Sequence, residues 1–177
     1  MLRGDQYRAD DAELVEGRGR AADLLHRLNG LSNRDTAARH QLLTELFGAL
    51  GDGSEVIGPF HCDYGGNIRI GQRCFVNANA VFLDPAPITI GDDVQIGPAV
   101  QLLTATHPLD AAERATGWES AKPIAIGDGA WLGGGAIVAP GVSIGARTVV
   151  GAGSVVIRDL PSDVVAVGNP ARVVRSL

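Results

Sequence analysis

The sequence predicts an all-β solenoid, a parallel β-helix built from hexapeptide repeats, with a helical hairpin in front of it. Three observations carry this. From residue 126 to 156 an aliphatic side chain recurs at every sixth position: Ile126, Leu132, Val138, Ile144, Val150 and Val156. Aliphatic residues are followed directly by glycine at Gly71, Gly91, Gly97, Gly127, Gly133, Gly145 and Gly151. The first fifty residues instead space their apolar positions by three and four. A period of six matches neither the 3.6 of a helix nor the alternation of a half-buried strand, and repeats this short mark a solenoid. The repeat also explains why a chain of 177 residues with 24 glycines is still 45% apolar. The apolar content suffices for a core, and the glycines follow the repeat rather than a disordered composition.

The helical part comes first. Leu14, Ala21, Leu24, Leu25 and Leu28 describe one amphipathic helix, which Asn29-Gly30 ends. Ser32 and Asp35 form an S-x-x-D start signal for a second helix carrying Ala38, Leu42, Leu43, Leu46 and Phe47. Gly48 and the cluster Gly51-Asp52-Gly53-Ser54 close it. Residues 1–54 are therefore expected to form a helical N-terminal module and residues 55–177 the solenoid. Each hexad is expected to supply one flat strand and one turn, three hexads completing a coil. Shorter runs at 70, 76, 82 and at 90, 96, 102 keep the same step, and the fifth place is small or branched, as in Cys74, Ala80, Val94, Ala130 and Ser154. The first aliphatic residue points inward. Glycine after it is expected to serve a corner, by adopting unusual dihedrals and by letting coils approach.

Composition removes several functions. A net charge of −5 argues against a general grip on nucleic acid or an anionic membrane. No run of 18 apolar residues exists. Met1 to Arg8 leads into acidic residues without an apolar run, so no signal peptide and a cytoplasmic location are expected. Cys62 and Cys74 make no disulfide framework and read as buried thiols.

The phasing, aliphatic-Gly-x-x-small-x, resembles the hexapeptide-repeat acyltransferases. Gly4-Asp5-Gln6-Tyr7, Phe60-His61-Cys62-Asp63-Tyr64-Gly65, Ala105-Thr106-His107-Pro108-Leu109-Asp110 and Gly168-Asn169-Pro170-Ala171-Arg172 resemble the maltose, galactoside and nodulation acetyltransferase group within them. The resemblance implies a left-handed β-helix, a maltose acetyltransferase-type helical module, acetyl-CoA as co-substrate and no metal. It also implies a small sugar acceptor and a homotrimer with active sites between subunits.

Two interruptions break the ladder, a short bulge at 84–89 and a polar loop at about 107–122. A coil repeat tolerates insertions at its corners, and loops on a rigid scaffold concentrate chemistry. His107 opens the long loop, where a histidine serves either as a structural loop residue or as a general base near neutral pH. Thr106-His107-Pro108 matches the family's catalytic segment, so the resemblance implies that His107 activates an acceptor hydroxyl for attack on the thioester. It further implies that Asp63 and Asn77 bind the acceptor and that Trp131 lies beside the cleft; Asp63 resembles the maltose type, and Asp84, closing the coil just before the bulge, either faces the same cleft or serves the turn. From the residues alone, Asn67, Asn77, Asn79 and Asp84 are equally turn residues and Trp131 equally a packing residue. The run Gly133-Gly134-Gly135 exceeds what one corner requires, and the resemblance implies that the Gly134 N–H donates to the oxyanion. Coenzyme A is implied along the C-terminal coils, at Gly134, Ala152, Arg158, Arg172 and Arg175, whose cations suit its phosphates although they equally suit a solvated terminus.

Other readings are narrower. A β-helix carbonic anhydrase needs three converging histidines, and of His26, His40, His61 and His107 two lie in the helical part. A different acceptor (a galactoside, oligosaccharide, serine, amino sugar or antibiotic) and a catalytically dead scaffold are the remaining alternatives.

Overall fold

A computed structural model describes residues 1–2 and 4–177 of the chain. Three sheets, parallel throughout except for the last strand of the second, form the faces of a prism. The first face holds Ala49–Leu50, Ile68–Ile70, Ile88–Ile90, Ile124–Ile126 and Ser143–Ile144. The second starts at Glu55–Val56, passes through Phe75–Val76, Gln95–Ile96, Trp131–Leu132 and Val149–Val150, and ends in Val164–Val167 and Arg172–Ser176. The third holds Phe60–Cys62, Ala80–Leu83, Gln101–Leu103, Ile137–Val138 and Val155–Val156. Ile126 pairs with Ile144 and Leu132 with Val150, each one full coil of three hexads apart.

The six-residue pattern works because both its apolar slots face inward. Val76, Ile96, Leu132 and Val150 stack on the second face, and Cys74, Val94, Ala130 and Thr148 fill the neighbouring corner, all of them buried. Near the base the stack becomes aromatic: Phe47, Phe60 and Phe82 meet edge to face at 5.4 and 5.2 Å.

Glycine after the aliphatic residue has one of the two expected reasons. A Cβ at Gly97 would lie 2.5 Å from the Gly134 nitrogen, and one at Gly133 2.5 Å from the Ala152 nitrogen. Close approach of coils therefore selects glycine there. The left-handed dihedrals fall two residues later, at Arg73, Asn79, Asp93, Ala99, Gly129, Gly135, Arg147 and Gly153. Two of these arginines form forked pairs across the coils, Arg73 with Asp93 and Arg147 with Asp163.

The helical hairpin covers the base of the prism. Helix α1 spans Ala12–Gly30, with Asp11 as its N-cap, and buries Ala21, Leu24 and Leu28; α2 spans Thr36–Leu46 and buries Leu42, Leu43 and Leu46. The start signal acts differently from the expectation. Asp35 occupies the N-cap of α2 without a side-chain cap bond, and the Ser32 hydroxyl accepts from Arg34 N–H in the preceding turn. Side chains satisfy the exposed strand edge at the base. The Asn29 amide donates to Phe60 O and accepts from Phe60 N–H, both at 2.9 Å, as a neighbouring strand would. Buried Arg39 donates to Leu28 O and Val56 O. The solenoid begins before the glycine cluster, since Leu50 already pairs with Ile70. At the far end Arg172–Ser176 turns back antiparallel on Val164–Val167 and caps the second face.

Candidate active site

One corner of the prism carries every long insertion. The third-face strands lead into Asp63–Asn67, then Asp84–Pro87, then a hairpin of Ala105–Thr106 and Trp118–Ala121 that holds a short helix α3, Ala111–Arg114, at its tip. The first of these lengthened corners escapes a search for aliphatic-Gly pairs. Its signal is the spacing Val56, Cys62, Ile70, six residues and then eight, the same step found between Phe82 and Ile90.

Two fully buried polar side chains bind these insertions into a spine. The Asp84 carboxylate accepts from the backbone N–H groups of Asp63 at 3.0 Å and Tyr64 at 2.8 Å, while the Asn67 amide donates to Asp84 O at 2.7 Å. One level up, the Thr104 hydroxyl donates to Leu83 O and accepts from Ala86 N–H. Asp84 is 0% exposed, which corrects its assignment to acceptor contact: it has no surface to offer and instead holds the Asp63 loop from beneath. Burial raises its carboxyl to about 6, against the opposing pull of the backbone N–H groups of Tyr64, Asp63 and Asn67, the last at 3.4 Å, that favour the ionised form.

Above the spine lies a cluster of ionisable groups. His107 follows the strand Ala105–Thr106, and its Nδ1 faces Glu119 Oε1 at 3.9 Å, too long for a hydrogen bond. The His107 side chain is 52% exposed and that of Glu119 22%. Asp63 is partly buried, and its carboxyl is pushed up by burial, eased by the charge of Arg18 and raised further by Glu119. Arg18, from the helical module, donates to the Tyr64 hydroxyl at 2.8 Å and to Ala9 O at 2.5 Å, its guanidinium 5.8 Å from the Tyr64 ring centre. Glu119, Arg18, Tyr64 and Tyr7 thus join a site in which sequence reasoning singled out His107 and Asp63. None of the four sits at a repeat position.

The other candidates gather elsewhere. Asn77, Trp131, Gly134 and Ala152 line a groove of about 460 Å³ on the second face, together with Phe75, Gln95 and Val149. Outward side chains form a continuous row there, because Phe75 pairs with Gln95, Gln95 with Trp131, Trp131 with Val149, Val149 with Val165 and Val165 with Arg175. Trp131 is 55% exposed. The backbone N–H groups of Gly134 and Ala152 make no hydrogen bond among the described residues, so both are free donors in this groove. Asn77 spends its own oxygen on Ala78 N–H. Arg158, Arg172 and Arg175 are exposed and make no ion pair among the described residues, in contrast to Arg147. The groove does not include His107, Asp63 or Glu119, so one chain presents the histidine and the groove separately. Among the described residues no cluster of three or more His, Cys, Asp or Glu is arranged to hold a metal, and no helix is long and apolar enough to cross a membrane.

Comparison with known proteins adds to this picture. Residues 1–51 match the maltose acetyltransferase hexapeptide capping motif, residues 67–98 the hexapeptide repeat of succinyl-transferase, and residues 123–158 the bacterial transferase hexapeptide of six repeats. Nodulation protein L of Rhizobium leguminosarum bv. viciae is 49% identical over 173 residues, covering 98% of this chain and 91% of that protein. A maltose O-acetyltransferase from Clostridium difficile superposes with a TM-score of 0.98 at 43% identity, covering 99% of this chain and 94% of that one. A hexapeptide-repeat acetyltransferase from Vibrio cholerae, solved with acetyl coenzyme A, superposes with a TM-score of 0.95 at 47% identity, over 100% and 96% of the two chains.

Proposed function

The chain belongs to the hexapeptide-repeat acyltransferases, related to the nodulation, maltose and galactoside acetyltransferases, and from that premise we propose that it acetylates a sugar hydroxyl with His107 as the general base. It is an acetyl-CoA-dependent acetyltransferase of that family, acting on a small acceptor. The observation that carries the proposal is the position of His107. It opens the hairpin above the Asp63 loop, with Nδ1 turned to Glu119, which leaves Nε2 for the acceptor.

In the proposed reaction the acceptor oxygen attacks the thioester carbonyl carbon while its proton passes to His107 Nε2. Negative charge gathers on the carbonyl oxygen, where the free N–H of Gly134 is the donor. The intermediate collapses to the acetyl ester, and the coenzyme A thiolate leaves and takes the proton back from His107. Asp63 accepts a hydrogen bond from another acceptor hydroxyl. The row from Trp131 to Arg175 is the proposed track for the coenzyme, with Ala152 N–H meeting its amide chain and Arg158, Arg172 and Arg175 its phosphates. Because one chain separates His107 from the groove, we assign the complete site to the junction of two subunits, in a homotrimer. The sugar acceptor draws support from the maltose O-acetyltransferase and nodulation protein L matches and from Asp63 itself.

The test is a panel of maltose, glucose, galactosides, serine and chloramphenicol with acetyl-CoA, read as release of free thiol. Turnover of maltose or glucose, lost in His107→Ala, is the expected result. Turnover confined to serine or chloramphenicol overturns the sugar assignment. No turnover at all, with wild type and variant binding coenzyme A equally, overturns the role of His107.

A further inference from the structure

The N-terminal strand Tyr7–Arg8 pairs antiparallel with Trp118–Ala121, the outer strand of the His107 hairpin, and places Tyr7 directly opposite Glu119. Arg8 fixes this register, since its guanidinium donates to Thr116 O at 2.9 Å and is held in turn by Asp10. Tyr7 packs with Ala86 and Ala121, is only 7% exposed, and its hydroxyl has no hydrogen-bond partner among the described residues. An unsatisfied buried hydroxyl is costly and rare. Glu119 has the complementary deficit. Its carboxylate is mostly buried and within interaction range of the Tyr7 hydroxyl, yet among the described residues it closes no well-formed side-chain hydrogen bond, and it stands 3.9 Å from His107 Nδ1. The groups whose charge bears on the phenol are Glu119 first, then Tyr64 and Asp63.

We propose that Tyr7 is a positioning residue for the proton transfer: its phenol is the second anchor of the Glu119 carboxylate, which in turn orients the His107 ring. In the proposed arrangement one Glu119 oxygen accepts from the Tyr7 O–H and the other from His107 Nδ1–H. With the proton kept on Nδ1, the lone pair of Nε2 faces the acceptor, and the imidazolium formed during the reaction has a carboxylate beside it. The N-terminal strand thereby acts as part of the machinery although it contributes no atom to the reaction. This rests on the reading of His107 as the base.

The test uses the full chain with ¹⁵N-labelled histidine, the His107 signals being assigned by their loss in His107→Ala. Wild type is expected to hold the His107 proton on Nδ1. Glu119→Gln and Tyr7→Phe are both expected to shift it toward Nε2, with circular dichroism and melting temperature unchanged in Tyr7→Phe because the ring that packs on Ala86 and Ala121 remains. With maltose and acetyl-CoA, Tyr7→Phe is expected to lower kcat about tenfold, as a small misplacement of a catalytic group does, while KM for acetyl-CoA stays the same. A wild-type His107 protonated on Nε2, or a Tyr7→Phe spectrum identical to wild type, overturns the proposal. If the tautomers behave as expected but no sugar is acetylated, the positioning role stands and the sugar assignment falls.

Discussion

Asp84 sits fully buried beneath Asp63 and accepts its backbone N–H at 3.0 Å, so one carboxylate sets the position of another. The lower one spends its oxygens on main-chain donors, and its burial cost appears as a carboxyl raised to about 6. The upper one is left free at the edge of the cleft. A structural acid and a candidate site acid thus share one corner in consecutive coils.

Stability should follow the lower acid. A folded-state value near 6 lies above the usual value of 3.8, so the folded chain binds the extra proton more tightly than the unfolded chain. The melting temperature is therefore expected to rise as pH falls from 7 toward 5, the ionised group costing on the order of 2–3 kcal/mol above pH 6. Asp63 is shifted in the same direction and adds to the trend. Asp10, Asp93 and Asp163 are held low by arginine partners and lose their contribution only under more acidic conditions. Thermal melts of wild type and Asp84→Asn across this range check it, with the variant giving the flatter curve.

Replacing His107 by alanine removes the proposed proton acceptor and leaves the hydrogen bonds of the Asp84 and Thr104 spine in place. The expected result is a loss of kcat of about 10²- to 10⁴-fold, the range for general base catalysis, with coenzyme A affinity unchanged. Titration calorimetry with coenzyme A, run beside the thiol-release assay, separates the two quantities.

Two glycines two positions apart, Gly133 and Gly135, should respond differently to alanine. At Gly133 the new Cβ meets the Ala152 backbone nitrogen at 2.5 Å, and coils stacked this closely have no room to yield. The expected cost is about 3 kcal/mol or more. At Gly135 the φ of +69° leaves the Cβ in open space, and Ala99 already occupies the equivalent left-handed slot of the coil below. About 1 kcal/mol is expected there, from the dihedral alone. Urea denaturation of both variants measures the difference.

Arginines in the last coils divide by partner. Arg147 is forked to Asp163, whereas Arg172 and Arg175 have no carboxylate beside them among the described residues. Arg175→Ala and Arg172→Ala are expected to raise KM for acetyl-CoA several-fold, by an amount that shrinks as salt is added. Arg147→Ala is expected to leave it unchanged. Steady-state kinetics at two ionic strengths checks both.

Much of the prism is legible in the chain because its constraints are local and recur. Ile126, Leu132 and Val138 face inward for the same reason, so the period alone exposes them. The long loop announces itself by breaking that period, and His107 by standing where the break begins. The Asp63 corner is harder to see, since neither Phe60-His61-Cys62 nor the stretch from Asp63 to Asn67 carries an aliphatic-Gly pair. Glu119 is one of many polar residues in a loop until the hairpin Ala105–Thr106 and Trp118–Ala121 sets it against His107.

The sequence by itself determined the solenoid, its inward stack, the helical cover at its base and the histidine at its one long excursion, because each depends on spacing along a few neighbouring residues. Only the tertiary structure decided that Asp84 supports Asp63 instead of meeting an acceptor, that Tyr7 comes to lie opposite Glu119, and that His107 and the Trp131 groove occupy separate places on one chain. Those relationships join residues whole coils apart. Their cause is the stacking of unequal corners and the return of the N-terminal strand across the hairpin, which no periodicity in the chain encodes.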